Sequence, residues 1–267
     1  MLDTLIATRF DRRITKGRTR PFLLECENRV GRSVAVVAKF TSAQLAVEGL
    51  VREAFGAMLA ADLGLPVPEC FCVTLSPEFV AAVSTMYSAD GAALAAAVPI
   101  GFGSTMLPNG FAAWMPERRV PMSMQQAAAE IYAFDLLIQN PDRRPENPNL
   151  QVKGERFAIF DHELAFVTEG VLFWAPPWTP GALNATGSVG THLLFPSLRG
   201  TRPDLTRLAT AWEAIDDERL TAYRASLPPQ WTASTQAAHT ADTVIDFLHD
   251  LRQHIGPAMR EILRTLS

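Results

Sequence analysis

Apolar residues run in short alternating blocks over the first 40 residues and then recur at helical spacing, so the pattern predicts a β-rich start and a helix-rich remainder. Extended segments are expected over 7–14, 21–27 and 33–40, the first two separated by the turn-like Lys16-Gly17-Arg18. The first strong helix is expected over 42–63. Ser42 is its N-cap, Leu45, Leu50, Val51, Phe55, Met58, Leu59 and Leu63 are its apolar positions, and Gly64 and Pro66 end it. A strand over 67–75 follows. The alanine-rich 77–97 reads as helical in part and interrupted at Asp90-Gly91, and Gly101 to Thr105 reads as a short loop with a structural turn. An apolar strand over 111–115 runs into Pro116, where the chain is expected to pass from one lobe to the next. Ser123 is placed to cap a helix over 124–138.

That helix breaks at Asn140-Pro141, because a residue before proline is pushed out of the helical region. The polar loop beyond it carries Asp142, Arg143, Arg144, Glu146 and Asn147. Two short apolar runs, 150–152 and 157–160, then flank Lys153-Gly154-Glu155-Arg156, which reads as a tight hairpin ending at Asp161. Residues 173–181, rich in proline and tryptophan, exclude a regular helix, and their aromatics are expected to pack. Helices are predicted over 204–215, 217–226 and 240–266. Asp216 and Thr240 are the expected caps of the last two, and Pro257 should kink the final segment or divide it into two abutting helices. β-rich then helix-rich is the order of an α+β protein with two lobes, 1–116 and 117–267.

Composition narrows the class. With 267 residues, 48 % apolar and 19 % charged, the chain is globular rather than disordered. A net charge of −4 argues against a basic nucleic-acid binder. Residues 1–40 nevertheless carry nine Lys or Arg against four Asp or Glu, an excess suited to phosphates or to a solvated strand face. Cys26, Cys70 and Cys72 show no metal-binding spacing and read as free thiols, and no apolar run reaches membrane-spanning length, so a soluble cytoplasmic protein with no membrane partner is expected.

The chemistry concentrates in two places. Asp142 and, five residues on, Asn147, with Asp161 returned by the hairpin, are what metal-assisted phosphoryl transfer requires. One carboxylate orients the attacking hydroxyl, while amide and carboxylate oxygens hold Mg²⁺ on nucleotide phosphates. The five-residue step equals that of the protein-kinase catalytic loop. Upstream, Lys39 near the end of an apolar strand reads by itself as a snorkelling surface residue. Glu48 and Glu53 on the next helix are its candidate partners. Taken together, the parts fall in the order of a bilobal kinase. Lys39 binds phosphates and is positioned by Glu53, Asp142 acts on the acceptor, and Asn147 and Asp161 hold magnesium.

At these residues the chain resembles the HipA-like serine/threonine kinases, in a compact subgroup lacking the extra N-terminal subdomain. The resemblance is carried by Val37-Ala38-Lys39-Phe40, Glu53, residues 63–68, Gly101-Phe102-Gly103-Ser104, Phe134-Asp135-Leu136-Leu137, Asn140-Pro141-Asp142-Arg143, Asn147-Pro148-Asn149-Leu150 and Phe160-Asp161-His162, spanning about 30–166. Phosphatidylinositol 3- and 4-kinases share a looser version. The resemblance implies a bilobal protein-kinase-like fold and ATP- and Mg²⁺-dependent phosphorylation of a protein Ser or Thr. Some relatives are growth-arrest toxins, which implies an antitoxin-like regulatory partner, and many autophosphorylate. Two departures stand out. Arg144 replaces the histidine of the Asp-Arg-His pattern, and the loop expected to be glycine-rich has only Gly17, which the resemblance places on the nucleotide. The second departure implies either a looser nucleotide cover or autophosphorylation sites missing there or displaced to Thr15 or Thr19.

Three other readings compete. A kinase of a small molecule or lipid headgroup fits the basic start. A catalytically silent nucleotide-binding module fits the sparse glycine loop, although it has no need of Lys39, Glu53, Asp142, Asn147 and Asp161 together. A metal-dependent hydrolase built on His162, Asp161 and Asp142 is weaker, because neighbouring strand residues face opposite sides. His192, His239, His249 and His254 show no ligand spacing.

Overall fold

The alternating blocks at the start of the chain become strands β1 (Asp3–Arg13), β2 (Phe22–Glu27) and β3 (Ser33–Lys39), an antiparallel meander. The computed structural model describes residues 2–15, 17–185 and 188–267, so Lys16 of the expected turn lies outside the described residues. β4 (Cys70–Thr74) pairs parallel with β1, and β5 (Ile100–Thr105) lies antiparallel between β3 and β4. The five strands close as β1-β2-β3-β5-β4. Register shifts along β1 give the local bends that closure of so small a barrel needs.

Residues 101–105, expected as a glycine loop, are thus a doubly paired strand. A Cβ on Gly101 would sit 2.4 Å from the Lys39 carbonyl oxygen, and one on Gly103 would sit 2.5 Å from methyls of both Val36 and Val73. The glycines admit close strand packing rather than a turn. Leu5, Leu24, Val36, Phe71 and Val73 fill the barrel. Helices α2 (Pro77–Met86) and α3 (Ser88–Ala95) add Phe79, Val83 and Leu94 to that core. The helical interruption falls at Tyr87. Asp90-Gly91 lies inside α3, where the bare Gly91 lets the helix approach the backbone of Ser84.

Between β3 and β4 runs α1 (Val47–Asp62), buried on most sides, with Glu53 the one charged residue among its buried positions. Ser42 does not cap it. The helix starts five residues later, and the Ser42 hydroxyl instead accepts the Gln44 N–H at the turn before it. α4 (Gln125–Leu137) is buried from Ala128 onward. It starts beyond Ser123, whose hydroxyl donates to Glu155. α4 ends with Gln139 in left-handed conformation, after which Pro141 prevents continuation. The hairpin is formed by β7 (Leu150–Lys153) and β8 (Arg156–Ile159) around Gly154, and β6 (Ala112–Ala113) joins it as a third, very short strand.

Three single-turn helices, α5 (Ala182–Ala185), α6 (Ser188–Thr191) and α7 (Phe195–Leu198), precede α8 (Thr206–Glu213), α9 (Asp217–Ala225), α10 (Thr235–Gln253) and α11 (Ile255–Leu266). Asp216 caps α9 as expected, whereas α10 begins earlier than Thr240 and is capped by Ser234. Pro257 sits in the first turn of α11, where its missing N–H costs nothing, and the expected division into abutting helices falls at His254. Trp174 and Trp178 pack against Phe247, while Phe173 is 89 % exposed. The larger apolar core joins α1, α4, the hairpin and the C-terminal helices. No described helix is long and apolar enough to cross a membrane.

Candidate active site

β3 ends at Lys39, and its ammonium is surrounded by three carboxylates. Nζ lies 2.9 Å from Glu53 Oε2, 2.5 Å from Asp161 Oδ1 and 3.0 Å from Glu163 Oε2. The lysine does not snorkel to the surface; its side chain is 11 % exposed. Glu53 Oε2 also accepts the N–H of His162 at 2.9 Å, so one carboxylate on α1 holds both the lysine and the backbone just after Asp161. A bare Gly56 one turn on makes room, since a Cβ there would lie 2.5 Å from that of His162. The His162 ring is buried edge-on to Phe134, and neither ring nitrogen has a hydrogen-bond partner among the described residues.

The loop after α4 supplies the second half. Asp142 Oδ2 accepts from Asn147 Nδ2 at 2.6 Å and Asn149 Nδ2 at 3.2 Å, while Arg144 Nη2 lies 3.2 Å from Oδ1. Beneath the loop, the fully buried Arg143 forms a two-point ion pair with the fully buried Asp135 of α4. Arg143 also donates to the carbonyls of Asn149 and Phe160, tying the loop to both strands of the hairpin. His192 Nδ1 accepts the Leu194 N–H, so its Nε2 carries the proton that it donates to Asp135 at 3.1 Å. Gln139, Asn149, Asp161 and Phe166 all have positive φ, a concentration of left-handed backbone that aims these short segments at one another.

Burial and charge oppose each other here. Burial alone would lower the Lys39 ammonium, but Asp161, Glu53 and Glu163 outweigh it and hold it well above the ordinary range. Asp161 is buried too, yet Lys39 keeps its carboxyl low. Burial lifts Glu53 to about 7 against the pull of Lys39, which makes Glu53 the carboxylate that protonates before Asp161. Burial would raise Asp135, but Arg143 and His192 hold it well below the carboxylate range. Burial depresses His162 to about 3, with Arg143 adding to the effect.

Lys39, Glu53, Asp142, Asn147, Asp161 and Gly17 line one cleft of about 990 Å³, at the upper end of the size of small-molecule sites, about 300–1,000 Å³. Its donors suit a hard divalent cation. The Asn147 amide nitrogen faces Asp142, leaving its oxygen without a hydrogen-bond donor among the described residues, and only one carboxylate oxygen of Asp161 meets Lys39. Oxygens of Glu53, Asp161 and Glu163 also lie within 4.8 Å of one another, with the Lys39 ammonium contacting all three residues.

A family profile described as HipA-like kinase matches residues 7–173, well over half the chain. The chain belongs to the HipA-like kinase family. The match extends beyond 30–166 at both ends. Among solved structures, the crystal structure of the Helicobacter pylori proinflammatory kinase CtkA is similar over 100 % of both chains, with a TM-score of 0.53 at 10 % identity, a likeness of fold. No curated protein sequence matched the chain.

In this HipA-like kinase the residues singled out from the sequence converge as two groups, Lys39–Glu53–Asp161 and Asp142–Asn147, with Gly17 on the rim in left-handed conformation (φ 89°). Arg144 lies at the mouth beside Asp142. Sequence reasoning missed Glu163, which lies beyond the end of β8, where no strand alternation relates it to Asp161. It also missed Arg18, which reaches Glu163 Oε1 at 3.0 Å, and the buried trio Asp135, Arg143 and His192. Asp161 and His162 diverge, and His162 lies in the core, away from any cation site shared with Asp142.

Proposed function

We propose that the protein is an ATP- and Mg²⁺-dependent kinase that phosphorylates a protein Ser or Thr hydroxyl, with 1–116 and 117–267 as the two lobes of its cleft. The observation that carries this reading is the presence in one cleft of a buried Lys39–Glu53 pair and a separately delivered Asp142–Asn147 pair. The family match supports phosphoryl transfer; the protein hydroxyl as acceptor is carried over from the resemblance of the motif residues. Lys39 serves the nucleotide phosphates and Glu53 keeps it in place. Gly17 belongs to the loop over the nucleotide. Asp142 has Oδ2 fixed by two asparagines, so Oδ1, now facing exposed Arg144, is the oxygen offered to the acceptor hydroxyl.

Asn147 and Asp161 are the residues that would hold magnesium. The ion supplies neutralisation of phosphate charge when bound. Catalysis by the chain's own groups is then positioning and electrostatics. An antitoxin-like protein is proposed as regulator on the strength of the family.

Intact-mass measurement of the purified protein, and radiolabelled ATP added to cell lysate and to a lipid extract, test the reading. Phosphate on the protein itself or on lysate proteins is expected, and Asp142→Asn should abolish it while retaining nucleotide affinity. Label found only on lipid or small molecules would refute the protein acceptor. Unchanged turnover in Asp142→Asn would remove that residue from the mechanism.

A further inference from the structure

Glu163 spans two cations that arrive from different parts of the barrel. Its Oε2 lies 3.0 Å from Lys39 Nζ at the end of β3, and its Oε1 lies 3.0 Å from Arg18 Nη2 on the β1–β2 loop. All three residues line the cleft. An ammonium and a guanidinium converging on the two oxygens of one anion is the arrangement by which proteins grip carboxylates and phosphates alike. We infer that Lys39 and Arg18 form a phosphate-binding subsite for the nucleotide, and that the Glu163 carboxylate is an intramolecular competitor for it. The inference rests on reading the cleft as a nucleotide site.

Three further observations favour this assignment. Backbone on either side of the competing carboxylate is anchored to α1, since Arg52 Nε donates to the Glu163 carbonyl at 2.8 Å and Glu53 accepts the His162 N–H. The Glu163 side chain, 6 % exposed and ion-paired at both oxygens, is therefore the part that must turn away for a phosphate to take its place. Arg18 is 58 % exposed at the cleft, on a loop whose sole glycine is Gly17, so its guanidinium is open to an incoming phosphate. Such a loop has little capacity for close backbone approach to phosphates, which glycines normally permit, and a charged side chain supplies the donor instead. Finally, Glu163 stands beside Glu53 and Asp161. A phosphate chain brought to Lys39 with Glu163 still in place would add like charge to three carboxylates sharing one buried ammonium.

Glu163 therefore sets a threshold on nucleotide affinity, and Arg18 contributes to the affinity itself. Calorimetric titration of the full chain with ADP and with adenosine, in chelator and in magnesium, tests both statements. Relative to wild type, Glu163→Gln should bind ADP about tenfold more tightly and Arg18→Ala about tenfold more weakly, the size of one charge-assisted contact. Adenosine, which has no phosphate, should bind all three proteins equally, and Arg18→Lys should keep most of the ADP affinity.

Equal ADP affinity in wild type and either main variant overturns the inference and leaves the nucleotide reading intact. So does weaker ADP binding by Glu163→Gln in magnesium alone, which would make Glu163 a metal ligand instead. Wild-type protein that binds neither ADP nor adenosine removes the nucleotide reading and this inference with it.

Discussion

Arg143 and Asp135 form an ion pair with neither side chain exposed, Nε at 2.5 Å from Oδ2 and Nη2 at 3.1 Å from Oδ1. The pair joins α4 to the loop that carries Asp142, and Arg143 continues to the carbonyls of Asn149 and Phe160. The two strands of the hairpin and the loop are thus indexed on one guanidinium. Its planar fork suits this use better than the flexible ammonium of a lysine.

Removing Arg143 leaves the fully buried Asp135 carboxylate with only the neutral donors His192 and Asn140 and no counter-ion among the described residues. Arg143→Met should therefore lower unfolding free energy by about 3–5 kcal/mol, the cost of a buried charge that has lost its counter-ion. Urea denaturation checks this, and a loss below about 1 kcal/mol, the range of exposed pairs, would show that the network is dispensable.

Asp161 meets Lys39 with one oxygen and is proposed to offer the other to magnesium. Asp161→Asn should weaken ADP binding at least about tenfold in magnesium, the order of one charge-assisted contact, and no more than marginally in chelator. Equal loss in both conditions would contradict the metal role.

His162 is buried, its ring nitrogens have no hydrogen-bond partner among the described residues, and burial depresses it from 6.5 to about 3. Between those values the unfolded chain binds a proton that the folded chain refuses, so this residue's contribution to stability falls as pH drops from 6.5 towards 3. Glu53 acts in the opposite sense, because its raised value means that the fold gains protons below about 7. The difference between wild type and His162→Leu isolates the histidine. Over that window the wild type should lose stability relative to the variant by up to about 1.4 kcal/mol per pH unit. Parallel stability curves would show that His162 is not the neutral buried group described.

Gly103 has no room for a side chain between Val36 and Val73. Gly103→Ala should overpack the barrel and cost about 1–3 kcal/mol, read as a lower thermal midpoint. Unchanged melting would mean that the barrel is looser than the strand pairing implies.

Much of the secondary structure was legible because it is locally encoded. The alternation in β1 to β3, the helical spacing of α1 and α4, and Gly154 between two apolar runs each report a nearest-neighbour preference. Helix caps were less legible. Ser42, Ser123 and Thr240 are good capping residues, but packing sets where each helix starts, and only Asp216 falls at the boundary expected of it. Gly101 and Gly103 misled for a related reason. Glycine marks a turn when the chain needs its conformational freedom and a close approach when it needs the missing Cβ, and local sequence does not separate the two.

By itself, the sequence determined the mixed α+β order, the break after α4 and the spacing of Asp142, Asn147 and Asp161. It also placed a lysine at the end of a strand ahead of a helix bearing Glu53. These are properties of neighbours along the chain. Tertiary structure alone decided that five strands close into a barrel, that Asp135, Arg143 and His192 share one buried network, and that Arg18 and Lys39 meet on Glu163. Arg18 and Glu163 lie 145 residues apart. No local preference encodes such a pairing; it exists only because the fold brings two distant, oppositely charged groups to one cleft, where the buried Glu163 carboxylate needs a cation and the exposed Arg18 supplies one.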